Sequence, residues 1–149
     1  MSLYEELSET QQFACRVIAD HARATAFAIS DGILPGNEGR NYVLRKIMRR
    51  AIYHGREHLG LKDAFIYKVC DLVVQNFSAA FPELETQRDF IGKMVRLEED
   101  RFANTMTVGL KRLEELIEKT PFEERAMVGF TAVRERVVFE ALGKMLKAE

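Results

Sequence analysis

Apolar residues recur three, four or seven positions apart along most of this 149-residue chain, and this spacing constrains its fold more than any other feature. The longest such run extends from position 84 to position 119. Side chains with this period share one face of an α-helix, whereas strands require alternation, and no alternation of useful length occurs. The sequence therefore predicts an all-α fold, a helical bundle of about five helices that includes one long helix.

Capping residues and turns divide the pattern into separate helices. Ser8 and Gln11 match a capping box that begins the first helix, and Asp31-Gly32 ends it. Further helices are predicted over 42–52 with an end near 54–55, over 63–80, over 84–119, and from 120 onward. Two glycines in the long helix, Gly92 and Gly109, each cost about 1 kcal/mol relative to alanine and allow a kink or break there.

The apolar spacing also predicts which residues form the core. On the first helix these are Phe13, Val17, Ala24, Phe27 and Ala28, and on the second Leu44, Ile47, Met48 and Ala51. On the third helix they are Phe65, Ile66, Val69, Leu72 and Val73, and on the long helix Ile91, Val95, Phe102, Met106, Leu110, Leu113 and Ile117.

Positive charge is concentrated in the second predicted helix. Positions 40–56 hold six basic residues and no acidic one, and since the whole chain carries −1, the remainder carries −7. Arg45, Lys46, Arg49 and Arg50 fall between the apolar positions, which predicts an amphipathic helix with a cationic outer face. Like charges four residues apart destabilise an isolated helix, and a nucleic-acid backbone would offset that repulsion. A solvated face, or arginines paired with acids on the first or long helix, are the alternatives.

The loop before this helix offers a second candidate contact. Gly36 and Gly39 allow a ligand close to the backbone, and Asn37 presents a donor and an acceptor on a short side chain. Two interpretations of Asn37 are open: it caps the following helix as an ordinary N-cap residue, or its amide faces outward toward a ligand.

No residue pattern indicates catalysis or a metal site. His54 and His58 lie four positions apart without a third ligand, and Cys15 and Cys70 are isolated, which predicts reduced thiols on apolar faces. The carboxylates at 98–100 are predicted to form a solvated, charged face of the long helix. The chain has no secretory signal and no apolar run of about 18 residues, so we expect a cytoplasmic protein without a membrane partner.

Three runs of residues carry a family resemblance: ADHARA at 19–24, DG at 31–32 and PGNEGRNYVLRK at 35–46. They resemble the A-D-H-x-R-A, D-G and P-S-N-E-G-R-G-Y-V-L-R-R motifs in the middle, tRNA-recognition region of bacterial alanyl-tRNA synthetases. The segment FIGKMVRLEEDRFANT at 90–105 is similar to the long helix of that region, which extends the resemblance to about residue 119.

The resemblance implies a chain that binds the acceptor stem of a tRNA, that of alanine tRNA, which a G·U wobble pair marks. Asn37 matches the asparagine with which the family reads this pair. The positions implied to contact the RNA backbone are Arg40, Arg45, Lys46, Arg49 and Arg50, to which we add Arg56 from the same basic segment. Cations can hold the stem by its phosphates while an amide contacts base edges.

The chain departs from the family pattern at Gly36, Asn41 and Lys46, where the family has Ser, Gly and Arg. Lys46 lacks the bidentate fork of arginine. The family continues into a segment like L-Y-D-T-Y-G-F-P, whose aspartate helps to read the wobble pair, and residues 120–149 do not match it. RNA binding is therefore the prediction for this chain, and the missing segment limits its discrimination of the wobble pair.

The family's ATP- and alanine-binding motifs and its metal-binding editing domain are also absent from the sequence. We therefore expect no catalysis and no cofactor for this chain, because ATP, Mg²⁺ and Zn²⁺ belong to those other domains. One helical domain is predicted over 1–149, with a family-like part at 1–119 and a divergent C-terminal helix at 120–149. Such a chain is expected to be a synthetase fragment or a separate paralogue that associates with other synthetase domains. The alternative is a divergent helical module that kept the fold and binds a protein through its last helix.

Overall fold

The computed structural model describes residues 4–119, and from 110 to 119 it describes the backbone and, of the side chains, those of Lys111 and Glu115. This part of the chain forms a 3₁₀ turn at Tyr4–Glu6 and five α-helices. They are α1 (Glu9–Ser30), α2 (Gly39–Leu59), α3 (Ile66–Phe77), α4 (Pro82–Thr86) and α5 (Arg88–Lys119). Residues 4–119 contain no strand, and the all-α fold class is confirmed. The helix predicted from 120 onward lies outside the described residues.

The chain divides into two compact units between Asp100 and Arg101, and each is described by itself. In the first unit α1 packs against α2, α3 and α4, and α3 packs against α4. In the second unit Phe102 is buried, and the Thr105 hydroxyl donates to the carbonyl of Arg101. None of the described helices is both long and apolar enough to cross a membrane. The single domain over 1–149 stays a prediction.

The first helix begins and ends where the sequence predicts. The Gln11 amide donates to Ser8 Oγ at 3.3 Å, and the Ser8 amide donates to Gln11 Oε1 at 3.1 Å, which confirms the capping box. The predicted core stripe is wrong for Phe13, which is 44% exposed. The face of α1 that is buried holds Ala14, Val17, Ile18, Ala22, Ala26 and Ile29. Its alanines allow α2 and α3 to approach closely.

The second helix extends beyond its predicted end near 54–55. It ends at Leu59, where Gly60 adopts the left-handed conformation (φ 68°) and the Leu61 amide donates to the Gly55 carbonyl. Gly55 is buried within α2, and a Cβ at this position would lie 2.1 Å from the ring of Phe65. Gly55 is therefore required for the approach of Phe65 and does not stop the helix.

The third and fourth predicted helices differ from the observed ones in their bounds. Helix α3 is shorter and buries Ile66, Cys70 and Val74, whereas Leu72, predicted in the core, is 55% exposed. The predicted helix over 84–119 is broken at Gln87, whose side-chain Nε2 donates to the carbonyl of Ser30 at 3.0 Å. The break between α4 and α5 thus lies at a residue that contacts the end of α1. Helix α5 continues without interruption through Gly92 and Gly109.

Candidate nucleic-acid interface

The six basic residues of segment 40–56 lie on two sides of α2. By the 3.6-residue period, the exposed row consists of Arg40, Lys46 and Arg50, and the inner row consists of Arg45, Arg49 and Arg56. All three residues of the exposed row are open to solvent, whereas Arg45 and Arg49 are 7% and 9% exposed and Arg56 is half-buried. The prediction of one cationic outer face is therefore wrong for Arg45 and Arg49.

The inner row meets a buried carboxylate, that of Glu98 on α5. Glu98 is 1% exposed, and its Oε1 accepts a hydrogen bond from Arg49 Nε at 2.7 Å. The same oxygen lies 3.3 Å from Arg45 Nε, an ion pair without hydrogen-bond alignment. One carboxylate between two guanidinium groups offsets the repulsion that their four-residue spacing creates. The alternative in which arginines pair with acids on the long helix is confirmed for Arg45 and Arg49.

The buried position of Glu98 contradicts the prediction of a solvated face at 98–100. A signal for its burial was present in the sequence, because Glu98 follows Ile91 and Val95 by seven and three positions and so shares their face of α5. The prediction of an exposed side chain relied on the charge of Glu98 and not on its position on the helix. A carboxylate can occupy such a position because Arg45 and Arg49 compensate its charge.

Glu99, the second buried carboxylate, stabilises the start of α3. Its Oε1 accepts hydrogen bonds from the backbone amides of Phe65 at 2.8 Å and Ile66 at 3.3 Å. Helix α3 has no side-chain cap in its own sequence, so Glu99 satisfies amides that would otherwise lack a partner. Burial raises the pKa of Glu99, while these two amides and the charge of Arg56 oppose the rise. The charge of Arg56 in the inner row thus favours the ionised form of Glu99.

Asn37 is held from the inner row. Arg45 Nη1 donates a hydrogen bond to Asn37 Oδ1, so the guanidinium group of Arg45 connects the loop to Glu98. The N-cap residue of α2 is Glu38, which makes no side-chain capping bond. The interpretation of Asn37 as an ordinary N-cap is therefore wrong. Asn37 is exposed and positioned by tertiary contact.

Two positions that differ from the resembled motif contact each other, Gly36 in the loop and Asn41 in the first turn of α2. The Gly36 amide donates to the Asn41 carbonyl at 3.1 Å, and a Cβ at position 36 would lie 2.8 Å from the Cβ of Asn41. The family has Ser and Gly at these two positions. The side chain of Asn41 thus stands next to the space that a serine at position 36 would require.

The exposed row makes no ion pair with the described carboxylates. Lys46 Nζ lies 4.8 Å from the ring centroid of Tyr42. Burial lowers the pKa of His21 and of His54, and the nearby charge of Arg50 lowers both further. In the described part of the chain, no carboxylate lies within ion-pairing distance of Arg40, Lys46 or Arg50. An anion approaching this side of α2 therefore meets three cations that make no ion pair with a carboxylate of the described residues.

Two other features, a groove on the surface and a pair of histidines, were considered as candidate sites. A groove of about 500 Å³ lies between α1 and α3, lined in part by Leu72 and Phe77. In it a hydrogen bond from Arg23 lowers the pKa of Asp20. The ring centroids of His54 and His58 are 5.2 Å apart. Among the residues that the structure describes, no three His, Cys, Asp or Glu side chains converge as a metal site.

Comparison with known proteins shows the family of this chain. The sequence model of the tRNA synthetases class II (A) matches residues 2–134. The alanine–tRNA ligase of Streptococcus thermophilus is 52% identical over 114 residues, which is 76% of this chain and 13% of that protein. That of Myxococcus xanthus is 55% identical over 100 residues, 67% of this chain and 11% of the ligase. That of Fusobacterium nucleatum is 46% identical over 117 residues, 78% of this chain and 13% of the ligase. The chain thus spans about one-eighth of the length of these relatives.

Proposed function

This chain belongs to the tRNA synthetases class II (A) family, and from that premise we propose that it binds a tRNA acceptor stem, that of alanine tRNA, through the exposed row and Asn37. The division of charge on α2 carries the proposal. In the inner row, Arg45 and Arg49 pair with the buried carboxylate of Glu98, and the charge of Arg56 acts on Glu99. The exposed row has no carboxylate partner among the described residues. Asn37 lies three residues before the first member of the exposed row.

The exposed row supplies the grip on the RNA backbone. Each lysine or arginine that faces a phosphate releases condensed counterions, so the affinity depends on salt. Three such contacts correspond to a slope of about −2 to −3 in a plot of log K against log salt concentration. Arg45, Arg49 and Arg56, which the sequence also predicted as RNA contacts, have a supporting role in this proposal.

Asn37 supplies the contact with the bases. A shifted G·U pair displays groups that a Watson–Crick pair satisfies internally, and the shallow minor groove of A-form RNA gives a short side chain access to them. Because Arg45 already orders Asn37, less side-chain freedom is lost on binding. The family segment with the second reading residue is not present in 120–149, so we propose only a modest preference for G·U from this chain.

This chain covers a small part of the ligases to which it is similar. Its relatives are named alanine–tRNA ligases, and it matches about one-eighth of their length. We propose that it does not charge tRNA by itself, takes no cofactor of its own, and acts in the cytoplasm together with other synthetase domains, joined to them covalently or not. Its contribution is then to place the acceptor stem.

A salt series with two acceptor minihelices tests the proposal. One minihelix carries G·U and the other carries G·C at the same position. We expect the affinity for both to fall with salt, and the double variant Lys46→Ala/Arg50→Ala to weaken both about equally. Lys93→Ala, at an exposed lysine of α5, is the matched control and should leave binding unchanged. Binding that ignores both salt and the double variant would contradict the proposal.

The alternative function is a helical module that binds a protein. It depends on the C-terminal helix predicted over 120–149, which lies outside the described residues, so it stays a prediction. Capture of a partner that survives nuclease treatment, together with no measurable binding of either minihelix, would favour it over RNA binding.

A further inference from the structure

We infer that Glu98 is a positioning residue for RNA recognition, because it holds Arg45 and through Arg45 fixes the amide of Asn37. The inference rests on the proposed function, in which Asn37 contacts the RNA. Three elements take part: α5 contributes Glu98, α2 contributes Arg45, and the preceding loop contributes Asn37. A single guanidinium group spans the distance from a buried acid to an exposed amide.

The geometry of Arg45 gives Glu98 this influence. A guanidinium group is planar, and its donors point in fixed directions, so orienting one edge orients the others. The Nε edge of Arg45 faces Glu98 Oε1, while Nη1 donates to Asn37 Oδ1. Removing the charge at 98 removes the attraction that holds the Nε edge, and Arg45 is then free to turn away from Asn37.

Arg49 and Arg45 have different parts in this arrangement. Arg49 makes the short, aligned hydrogen bond to Glu98 at 2.7 Å, and Arg45 lies at 3.3 Å from the same oxygen. Arg49 therefore makes the shorter contact with the carboxylate, and Arg45 contacts both the carboxylate and the loop.

The hydrogen bond from Arg45 also selects the orientation of the Asn37 amide. The two ends of an amide differ, since the oxygen accepts and the nitrogen donates hydrogen bonds. With Oδ1 held by Arg45, one of the two flipped orientations is favoured, and a ligand meets that orientation. A change in α5 would thus alter recognition at a loop that α5 does not itself supply.

Glu99 offers a matched control for Glu98. The two residues are adjacent on α5, and both are 1% exposed. Glu99 binds the start of α3, whereas Glu98 binds the inner row. Substitution of either removes a buried carboxylate, but Glu98 contacts the arginine that binds Asn37, whereas Glu99 accepts from backbone amides at the start of α3.

The test measures the Asn37 side chain directly in the whole chain. Side-chain ¹⁵N relaxation of Asn37 is recorded for wild type, Glu98→Gln and Glu99→Gln at a temperature where all three are folded. We expect the order parameter of Asn37 to drop below about 0.6, the flexible range, in Glu98→Gln and to stay unchanged in Glu99→Gln. If Glu98→Gln does not fold, Arg45→Lys replaces it, because one ammonium group cannot occupy both ends of the fork. An Asn37 amide that stays ordered in the folded variant overturns the inference.

RNA affinity separates this inference from the function on which it rests. In a double-mutant cycle we expect Glu98→Gln and Asn37→Ala to be non-additive, with a coupling of roughly three- to tenfold in minihelix affinity. Full additivity would overturn the positioning role. Wild-type chain that binds neither minihelix would instead overturn the proposed function, while the relaxation data would still report whether Glu98 orders Asn37.

Discussion

Arg49 and Arg50 are neighbours in sequence and the same type of residue, yet the fold gives them opposite surroundings. Arg49 is buried and donates to Glu98, whereas Arg50 is exposed and makes no ion pair with a carboxylate of the described residues. The same contrast separates Arg45 of the inner row from the exposed row. Six basic residues in one segment therefore do not make one binding surface, because ion pairs with Glu98 hold two of them, Arg45 and Arg49, inside the protein.

The contrast predicts that the inner row matters for stability and the exposed row for affinity. A buried arginine whose acid is removed keeps its desolvation penalty without compensation. An exposed arginine stays hydrated, so its removal changes the free energy of unfolding by no more than about 0.5 kcal/mol. The predictions below test this division, beginning with the largest effect.

Removal of the shared acid should have the largest effect. Glu98→Ala leaves Arg45 and Arg49 buried without a counter-charge, and we expect a loss of about 3–5 kcal/mol in the free energy of unfolding, measured with urea. Asp100→Ala is the control from the same acidic triplet, and since Asp100 is exposed it should cost less than about 0.5 kcal/mol. Similar losses for both variants would contradict the separation of the rows.

Separate alanine substitutions of the two adjacent arginines test the contrast within α2. Arg49→Ala removes a charged hydrogen bond to Glu98 and should cost about 1.5–3 kcal/mol of unfolding free energy. Arg50→Ala should leave stability within about 0.5 kcal/mol of wild type. Urea titrations of the two variants are the measurement. If Arg50→Ala proved the more destabilising, the assignment of the rows would be wrong.

Salt dependence tests the exposed row separately. Arg50→Ala should reduce the slope of log K against log salt by about 0.7–0.9, since one phosphate contact is lost. A folded Arg49→Ala variant should bind with nearly the wild-type slope, because Arg49 faces Glu98. Minihelix titrations at several salt concentrations measure both slopes, and a larger change for Arg49→Ala would reverse the roles.

The smallest expected effect is the pH dependence of stability that comes from Glu99, whose pKa the charge of Arg56 also influences. Its folded pKa is raised by burial above the usual 4.5, so the folded state takes up a proton before the unfolded state does as the pH falls. The wild type should therefore gain stability relative to Glu99→Gln as the pH falls from neutral to 4.5. Urea unfolding of both proteins over this range measures the difference, from which shared titrations such as those of His21 and His54 cancel. A difference that does not change with pH would contradict the raised pKa.

Much of the fold follows from short-range patterns. The capping box at Ser8 and the end of α1 were predicted because both depend on residues within one turn. The errors occurred where a distant residue decides the outcome. Phe65 makes Gly55 a packing position inside α2, and the carbonyl of Ser30 meets Gln87 at the break before α5. No local pattern contains those contacts.

The candidate site divides in the same way. Asn37 and the basic segment were identified from sequence, and their role in RNA binding stays a prediction. The hydrogen bond from Arg45 to Asn37 was not predicted, and Asn37 was wrongly considered as an N-cap because its position before a helix is typical of one. The burial of Glu98 was missed, although its spacing from Ile91 and Val95 indicated it.

The sequence by itself determined the helical class, the family and the segment in which positive charge accumulates, because periodicity, capping and motifs depend on residues close together in the chain. Only the tertiary structure decided which of those cations remain available to a ligand. Glu98 lies 49 residues from Arg49, and folding brings their charged atoms to 2.7 Å. Burying a charge is tolerated only beside its opposite, so the position of one acid on α5 assigns Arg45 and Arg49 to the interior and leaves Arg40, Lys46 and Arg50 at the surface.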